Sequence, residues 1–408
     1  MVRENASFHP ALTTSFNTAT SERDVKTVRV GLAGCGVVGS ALVRMLHSSA
    51  DSIQSRHGVR FELSRVLVRD ALRDRGLPIP QSLFTADHDA FIAEDNDVVI
   101  EAIGGCESAS RIARAALTDG KGFVTSNKDL IASEGAALAT LAERRSVTLD
   151  FGACVGGSAP VIALLRDLVG SATPRSIRGI FNGTSNYVIS LMERGSSLSA
   201  ALQSAQAKGL AESDSSRDLD GRDIAAKLAI VAWISYGIAP SPLAIPRLGI
   251  GANGKRLVDA AASIGGRLRL IGECCLVGKG QVSAFVEPVV FSRDHSFART
   301  ELEDNRVEAD LGWSAPLTVS GPGAGGEPTA LALLGDLLNA ASPRNGSTQP
   351  RVPFDCVEDP REHRWLIVSP DGHFIIGGTR RAILEAFLFS SDTAIARVEI
   401  EPTALEVS

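Results

Sequence analysis

The sequence predicts an α/β chain: a doubly wound parallel sheet, a second α+β domain and a small C-terminal α/β tail. Three observations carry this. Strand-like apolar runs alternate with helical patterns over 26–151, the order that builds a parallel sheet with helices on both faces. Over 152–315 the order changes, and two strand-like runs, 268–277 and 282–291, follow each other directly. After a polar, proline-containing stretch at 343–353, strand, turn, strand, helix and strand patterns close the chain over 354–408.

Length and composition bound the reading. A chain of 408 residues is too long for one compact core, so two or three domains are expected. A hydrophobic content of 44% and a charged content of 22% are those of a globular protein. The net charge of -6 gives no basic footprint, which argues against a nucleic-acid partner. No apolar run reaches membrane-spanning length, so no membrane is expected either. The six cysteines contain no C-x-x-C pair, and reduced thiols in the cytoplasm are expected. Residues 1–25 are rich in Ser, Thr and Asn without an apolar core, and read as a disordered leader rather than a signal peptide.

The first strand, 28–33, opens directly into Gly34-Cys35-Gly36-Val37-Val38-Gly39 and then a helical pattern. This is G-x-G-x-x-G with a strand before it and a helix after, the Rossmann context for a dinucleotide. Gly34 allows the turn, Gly36 lets a pyrophosphate approach, and Gly39 lets helix and strand pack closely. The second strand, 61–68, ends in Arg69-Asp70. Arg69 at that corner could pair with a 2′-phosphate, which favours NADP; Asp70 keeps NAD open. The strand at 97–102 leads into Gly104-Gly105, and Ser126-Asn127-Lys128 stands at the end of the strand at 123–125, where open parallel sheets bind ligands.

In the second domain, a strand at 176–181 ends in Asn182-Gly183-Thr184. Residues 213–234, SDSSRDLDGRDIAAKLAIVAWI, run from an acidic loop into a helix that is apolar nearly all round and therefore buried. Asp223 and Lys227, four apart, share one face of it. Alone, the pair reads as an ordinary helical ion pair, and Asp220 as a helix cap. In low dielectric, a lysine beside a carboxylate is also a proton donor.

Several segments together resemble homoserine dehydrogenase: GLAGCGVVGSALVRML, IEAIGG, SNKDLIA, VGGSAPVI, IFNGTSNYVI, AESDSSRDLDGRDIAAKLAI and GPGAGGEPTALALLGDLL, in that order over roughly 26–342. The resemblance implies a Rossmann domain completed by a return of the chain at 316–342, a substrate and dimerisation domain, and a homodimer. It implies reversible hydride transfer between NAD(P)H and L-aspartate 4-semialdehyde, giving L-homoserine. It places Lys227 near the reacting oxygen with Asp223 beside it, and Lys128 as a second lysine at the nicotinamide site. It assigns Glu212 and Asp218 to the substrate ammonium, and Gly183 and Thr184 to its polar end. The cofactor residues it implies are Gly34, Gly36, Val37, Val38, Gly39, Arg69, Gly104, Cys106, Lys128 and Gly325.

The chain also departs from the family pattern. A Glu common at the position of Gly152 helps to hold a monovalent cation; its loss leaves only weak backbone ligation, at Val155 and Gly157. Cys106 stands where Thr is frequent, and Ser213 and Ser215 replace prolines, which loosens that loop. The tail is shorter than an ACT-type regulatory domain and suggests a reduced remnant of one. Two other readings remain open: a paralogous dehydrogenase for another short aldehyde or hydroxy acid, and a nucleotide-binding module without catalysis.

Overall fold

The computed structural model describes residues 25–211, 214–239, 241–242, 244–313, 315–323, 325–341, 354–387 and 392–400. The expected leader (Val25 apart), the linker and Glu212 lie outside these residues.

The first unit begins with β1 (Lys26–Ala33), whose second half is buried on both faces, as a central parallel strand requires. It continues through α1 (Val37–Ser48), α2 (Ala50–His57), β2 (Val59–Leu67), β3 (Phe84–Thr85), α3 (His88–Ala93), β4 (Val98–Glu101), α4 (Glu107–Thr118), β5 (Gly122–Thr125), α5 (Lys128–Arg145) and β6 (Leu149–Asp150). All neighbours pair in parallel, in the order β3-β2-β1-β4-β5-β6. The chain direction across the sheet reverses between β1 and β4, the switch point at which open parallel sheets bind ligands. The sequence reading did not anticipate α2, β3 or α3. Only Ile53 of α2 is buried and β3 has two residues, so neither carries a readable period.

The second unit runs through α6 (Val161–Val169), β7 (Ser176–Ile180), α7 (Gly183–Glu193), α8 (Leu198–Ala207), α9 (Ser216–Leu219), α10 (Arg222–Tyr236), α11 (Gly254–Ser263), β8 (Gly266–Gly278), β9 (Gln281–Ser292), α12 (Ser296–Arg299), β10 (Asp304–Asp310) and β11 (Leu317–Pro322). The strands β11-β10-β7-β8-β9 pair antiparallel throughout. Every residue of α10 except Arg222 is buried, as its apolar circumference requires. β10 and β11 were not anticipated. Asn305, Val307 and Ala309 of β10 are buried at alternate positions, a strand period that charged neighbours obscured.

α13 (Gly326–Ala341) leaves this sheet and returns to the first. Its Ala330, Leu333 and Leu337 share a core with Val30 and Leu32 of β1 and Leu42 of α1. The tail then supplies β12 (Asp355–Cys356), β13 (Glu362–Ser369), β14 (Gly372–Thr379), α14 (Arg380–Phe387) and β15 (Ala394–Glu399). Rather than forming a sheet of their own, β15, β13 and β14 extend the second sheet from the outer edge of β9. An uncovered β9 would leave a long row of unpaired amides and carbonyls, and the tail satisfies it. The seam is charged and buried. Arg397 of β15 contacts Glu273 of β8 at 2.6 Å and Glu287 of β9 at 3.3 Å, and Arg380 reaches Glu287 at 3.1 Å.

Among the described residues no helix is long and apolar enough to cross a membrane, and all six cysteines are free. Arg397→Ala leaves Glu273 and Glu287 buried without their shared cation. The expected loss is about 3–5 kcal/mol in urea unfolding, and an unchanged midpoint and slope would show that the seam does not hold the tail.

Candidate active site

The turn after β1 is shaped by contacts that admit no side chain. The Gly34 amide donates to the Leu67 carbonyl at 2.9 Å, and φ here is +99°. A Cβ on Gly34 would fall on the Ala102 carbonyl oxygen, and one on Gly39 on the Gly34 carbonyl oxygen. At Gly36 an added Cβ would meet nothing within 4 Å, so this glycine faces open space rather than protein. α1 begins there with no side-chain cap and no acidic residue in its first turn. Its free amides and positive dipole end suit a dinucleotide's phosphates. Val37 is exposed and Val38 half-buried on this turn; Gly326, at the start of α13, lies against Val37, and Gly325 precedes it.

Glu101, which the sequence reading did not single out, and Asn127, which it named only as part of Ser126-Asn127-Lys128, organise the far side. Glu101, fully buried at the end of β4, accepts from the Ile103 amide at 2.7 Å and from the Thr125 hydroxyl at 2.6 Å, and burial pushes its carboxyl up. It thereby shapes the exposed turn of Gly104, Gly105 and Cys106. Asn127 donates to the Gly105 carbonyl at 2.7 Å and caps α5 through the Leu130 amide. Lys128 is the first residue of that helix. The signal for both was their place at strand ends, in IEAIGG and TSNK.

Arg69 is exposed one residue beyond Val68, at the corner where β2 ends. Asp70 is engaged locally: its carboxylate accepts from the Leu72 and Arg73 amides at 3.0 and 3.2 Å.

The remaining candidates converge on Asp223, in the first turn of α10. Its Oδ2 lies 2.8 Å from Lys227 Nζ and its Oδ1 3.3 Å from Lys128 Nζ, which arrives from the start of α5. Asn182, at the end of β7, donates to Asp223 at 2.8 Å and to Asp218 at 2.7 Å, and its own oxygen caps α7 through the Ser185 amide. Lys227 Nζ also donates to the Phe181 carbonyl at 2.6 Å. Burial alone would push the Asp223 carboxyl up, but the Lys227 and Lys128 charges and the Asn182 amide outweigh it and hold the group well below the usual carboxylate range. At Lys128 burial favours the neutral amine, yet Asp223 and Asp129 together raise its pKa. Burial pushes Asp218 up, against the Asn182 hydrogen bond.

Gly183 opens α7, so tightly against the Glu303 carbonyl that a Cβ would lie 2.6 Å from it. Thr184 donates to the Leu210 carbonyl at 2.6 Å. Asp220 is not the cap of α10. That position is Gly221, and Asp220 instead accepts from the Arg222 amide at 2.9 Å. Asn182 and the Phe181 carbonyl were not singled out from the sequence, because their partners lie on α10, some forty residues away.

The turn that carries Gly152, Val155 and Gly157 is held by α13. Asp336 accepts from the Ala153 amide at 3.0 Å, and a Cβ on Gly152 would fall on its Oδ1. Burial and the neighbouring Asp150 charge push Asp336 up to about 7, against the hydrogen bonds that it accepts. The nearby carboxylate thus faces amides, and position 152 offers a cation no side-chain donor.

Residues 160–338 match the family model of homoserine dehydrogenase, and residues 34–151 match the homoserine dehydrogenase NAD binding domain. The homoserine dehydrogenase of Mycobacterium tuberculosis is 37% identical over 335 residues, covering 80% of this chain and 76% of that protein. That of Bacillus subtilis is 31% identical over 316 residues, covering 77% and 73%. The crystal structure of a homoserine dehydrogenase from Thiobacillus denitrificans superposes with a TM-score of 0.81 at 26% identity, covering 92% of this chain and 98% of that one. A hyperthermophilic archaeal homoserine dehydrogenase in complex with NADPH shares the fold, with a TM-score of 0.66 at 24% identity over 78% of this chain and 99% of that one.

The raised carboxyl of Asp336 has a consequence for stability. Between the ordinary carboxyl value near 4 and about 7 the folded chain holds a proton there that the unfolded chain releases. Stability from this group therefore falls as pH rises through that window. Unfolding midpoints at pH 5 and pH 8 are expected to differ less for Asp336→Asn than for the unaltered chain. An equal difference in both would remove the assignment.

Proposed function

Because the chain belongs to the homoserine dehydrogenase family and is an NAD(P)-dependent oxidoreductase, we propose that the Asp223 cluster carries the family reaction, the reversible reduction of L-aspartate 4-semialdehyde to L-homoserine. The observation that carries the assignment is the anchoring of Lys227. An ammonium has three donors. Two are taken by Asp223 and the Phe181 carbonyl, which leaves one for a ligand oxygen.

The phosphate turn fits the cofactor, since Gly36 is open and the α1 amides have no side-chain cap. When bound, the reduced nicotinamide supplies the hydride. The protein's part is to hold charge where the aldehyde oxygen gains it. Lys227, paired with a carboxylate that stays ionised, stabilises the developing alkoxide and gives it a proton. Lys128 adds a second positive charge across Asp223. Asp218, held by Asn182, receives the substrate ammonium with Glu212, and Gly183 and Thr184 line the substrate's polar end. Val155 and Gly157 offer a cation backbone carbonyls alone.

Arg69 selects the 2′-phosphate of NADP, because Asp70 is engaged by backbone amides at the one corner where a carboxylate would hold a ribose hydroxyl. The free thiols support a reducing, cytoplasmic setting, and the homodimer follows from the family's second-domain sheet.

NADPH oxidation with L-aspartate 4-semialdehyde tests the reaction. Lys227→Ala is expected to lower kcat by about 10²–10⁴-fold with NADPH affinity kept; activity on non-amino aldehydes alone would assign the chain a different substrate. Arg69→Ala is expected to raise KM for NADPH about tenfold and leave KM for NADH unchanged. Equal effects on the two cofactors would dismiss the 2′-phosphate role.

A further inference from the structure

Asn305, on β10, is only 1% exposed, yet neither its Nδ2 nor its Oδ1 has a partner. Its backbone belongs to the sheet and is paired with Gly321 of β11. The register that sets Arg306 opposite Ile180 continues to place Asn305 beside Phe181, whose carbonyl holds Lys227. The side chain lies against Gly323, close enough that a Cβ there would fall on the amide. Gly323 belongs to the connection from β11 to α13, and α13 starts against Val37 of the phosphate turn. Asn305 therefore stands between the lysine that meets the aldehyde oxygen and the segment that borders the cofactor turn.

A buried amide with both ends unpaired is destabilising, and more than about nine in ten buried polar groups in native proteins are paired. The amide needs a ligand that offers one donor and one acceptor together. The substrate's polar ends are charged and have carboxylates assigned to its ammonium. A nicotinamide carboxamide carries an NH₂ and a carbonyl, the complement of an asparagine amide. The carboxamide is attached next to the ring carbon that exchanges hydride with the aldehyde, so it enters the site beside Lys227. We propose that Asn305 binds the carboxamide of the nicotinamide ring and fixes the ring's rotation in front of Lys227. This rests on the cofactor and reaction reading above.

The test compares dissociation constants, measured by fluorescence quenching without aldehyde, for NADPH and its reduced 3-acetylpyridine analogue. The analogue replaces the carboxamide NH₂ with a methyl group. The unaltered chain is expected to bind NADPH about tenfold more tightly. Asn305→Ala is expected to bring that ratio close to one by weakening NADPH far more than the analogue. Asn305→Asp preserves the shape and still accepts from the NH₂, so it is expected to keep a preference for NADPH even if the alanine variant does not fold. A merely structural role weakens both ligands alike and leaves the ratio unmoved, which overturns the proposal; so does equal affinity in the unaltered chain. The two readings separate. A ratio that depends on Asn305 in a chain that does not reduce aspartate semialdehyde sustains the carboxamide contact and rejects the reaction. Turnover of that aldehyde with an unmoved ratio rejects the contact alone.

Discussion

One buried carboxylate sets the geometry of this molecule's chemistry. Asp223 takes Lys227 from its own helix, Lys128 from the start of α5 and the Asn182 amide from just beyond β7. Two cations and a neutral donor around one anion compensate the burial that would otherwise drive the carboxyl to bind a proton. The same arrangement makes the two units interdependent, since Lys128 opens α5 and Asp223 opens α10.

The rest of the scaffold keeps that contact in register. Behind the lysine, α10 is anchored by Trp233, which stacks on Phe151 at 5.5 Å, and the Arg166 guanidinium lies 4.7 Å from the centre of the same ring. Phe151 leads into the turn that Asp336 grips from α13. α13 in turn reaches the phosphate turn through Gly326 and Val37. A continuous run of packed groups thus connects the cofactor turn with the helix that carries Lys227. No part of it has to move for the lysines and the carboxylate to meet, so the charge that stabilises an alkoxide is in place before the reaction.

How much of this could be read in advance depends on how local the cause is. The phosphate turn was legible because its reasons lie within six residues and their two flanks. The buried helix was legible because its apolar circumference is a property of the helix itself. β10 and β11 were not legible, since β10 alternates uncharged residues with charged ones and β11 is largely exposed. The tail was read as a small unit by itself because local patterning does not say which sheet edge a strand joins. Its three strands continue the second sheet. In the sequence Asn182 is one member of a loop tripeptide, and Asn305 carries no local signal. Nothing near either in sequence shows that its amide is buried.

By itself the sequence determined the class of each long element, the nucleotide turn and the pairing of Asp223 with Lys227, because each follows from spacing along one strand or helix. Only the tertiary structure decided that Lys128 shares the same carboxylate, that the Phe181 carbonyl takes one of the Lys227 donors, and that Asp336 sits where a side chain at position 152 would have been. These are contacts between groups far apart in the chain, and burial and charge act through distance in space, which no local pattern encodes.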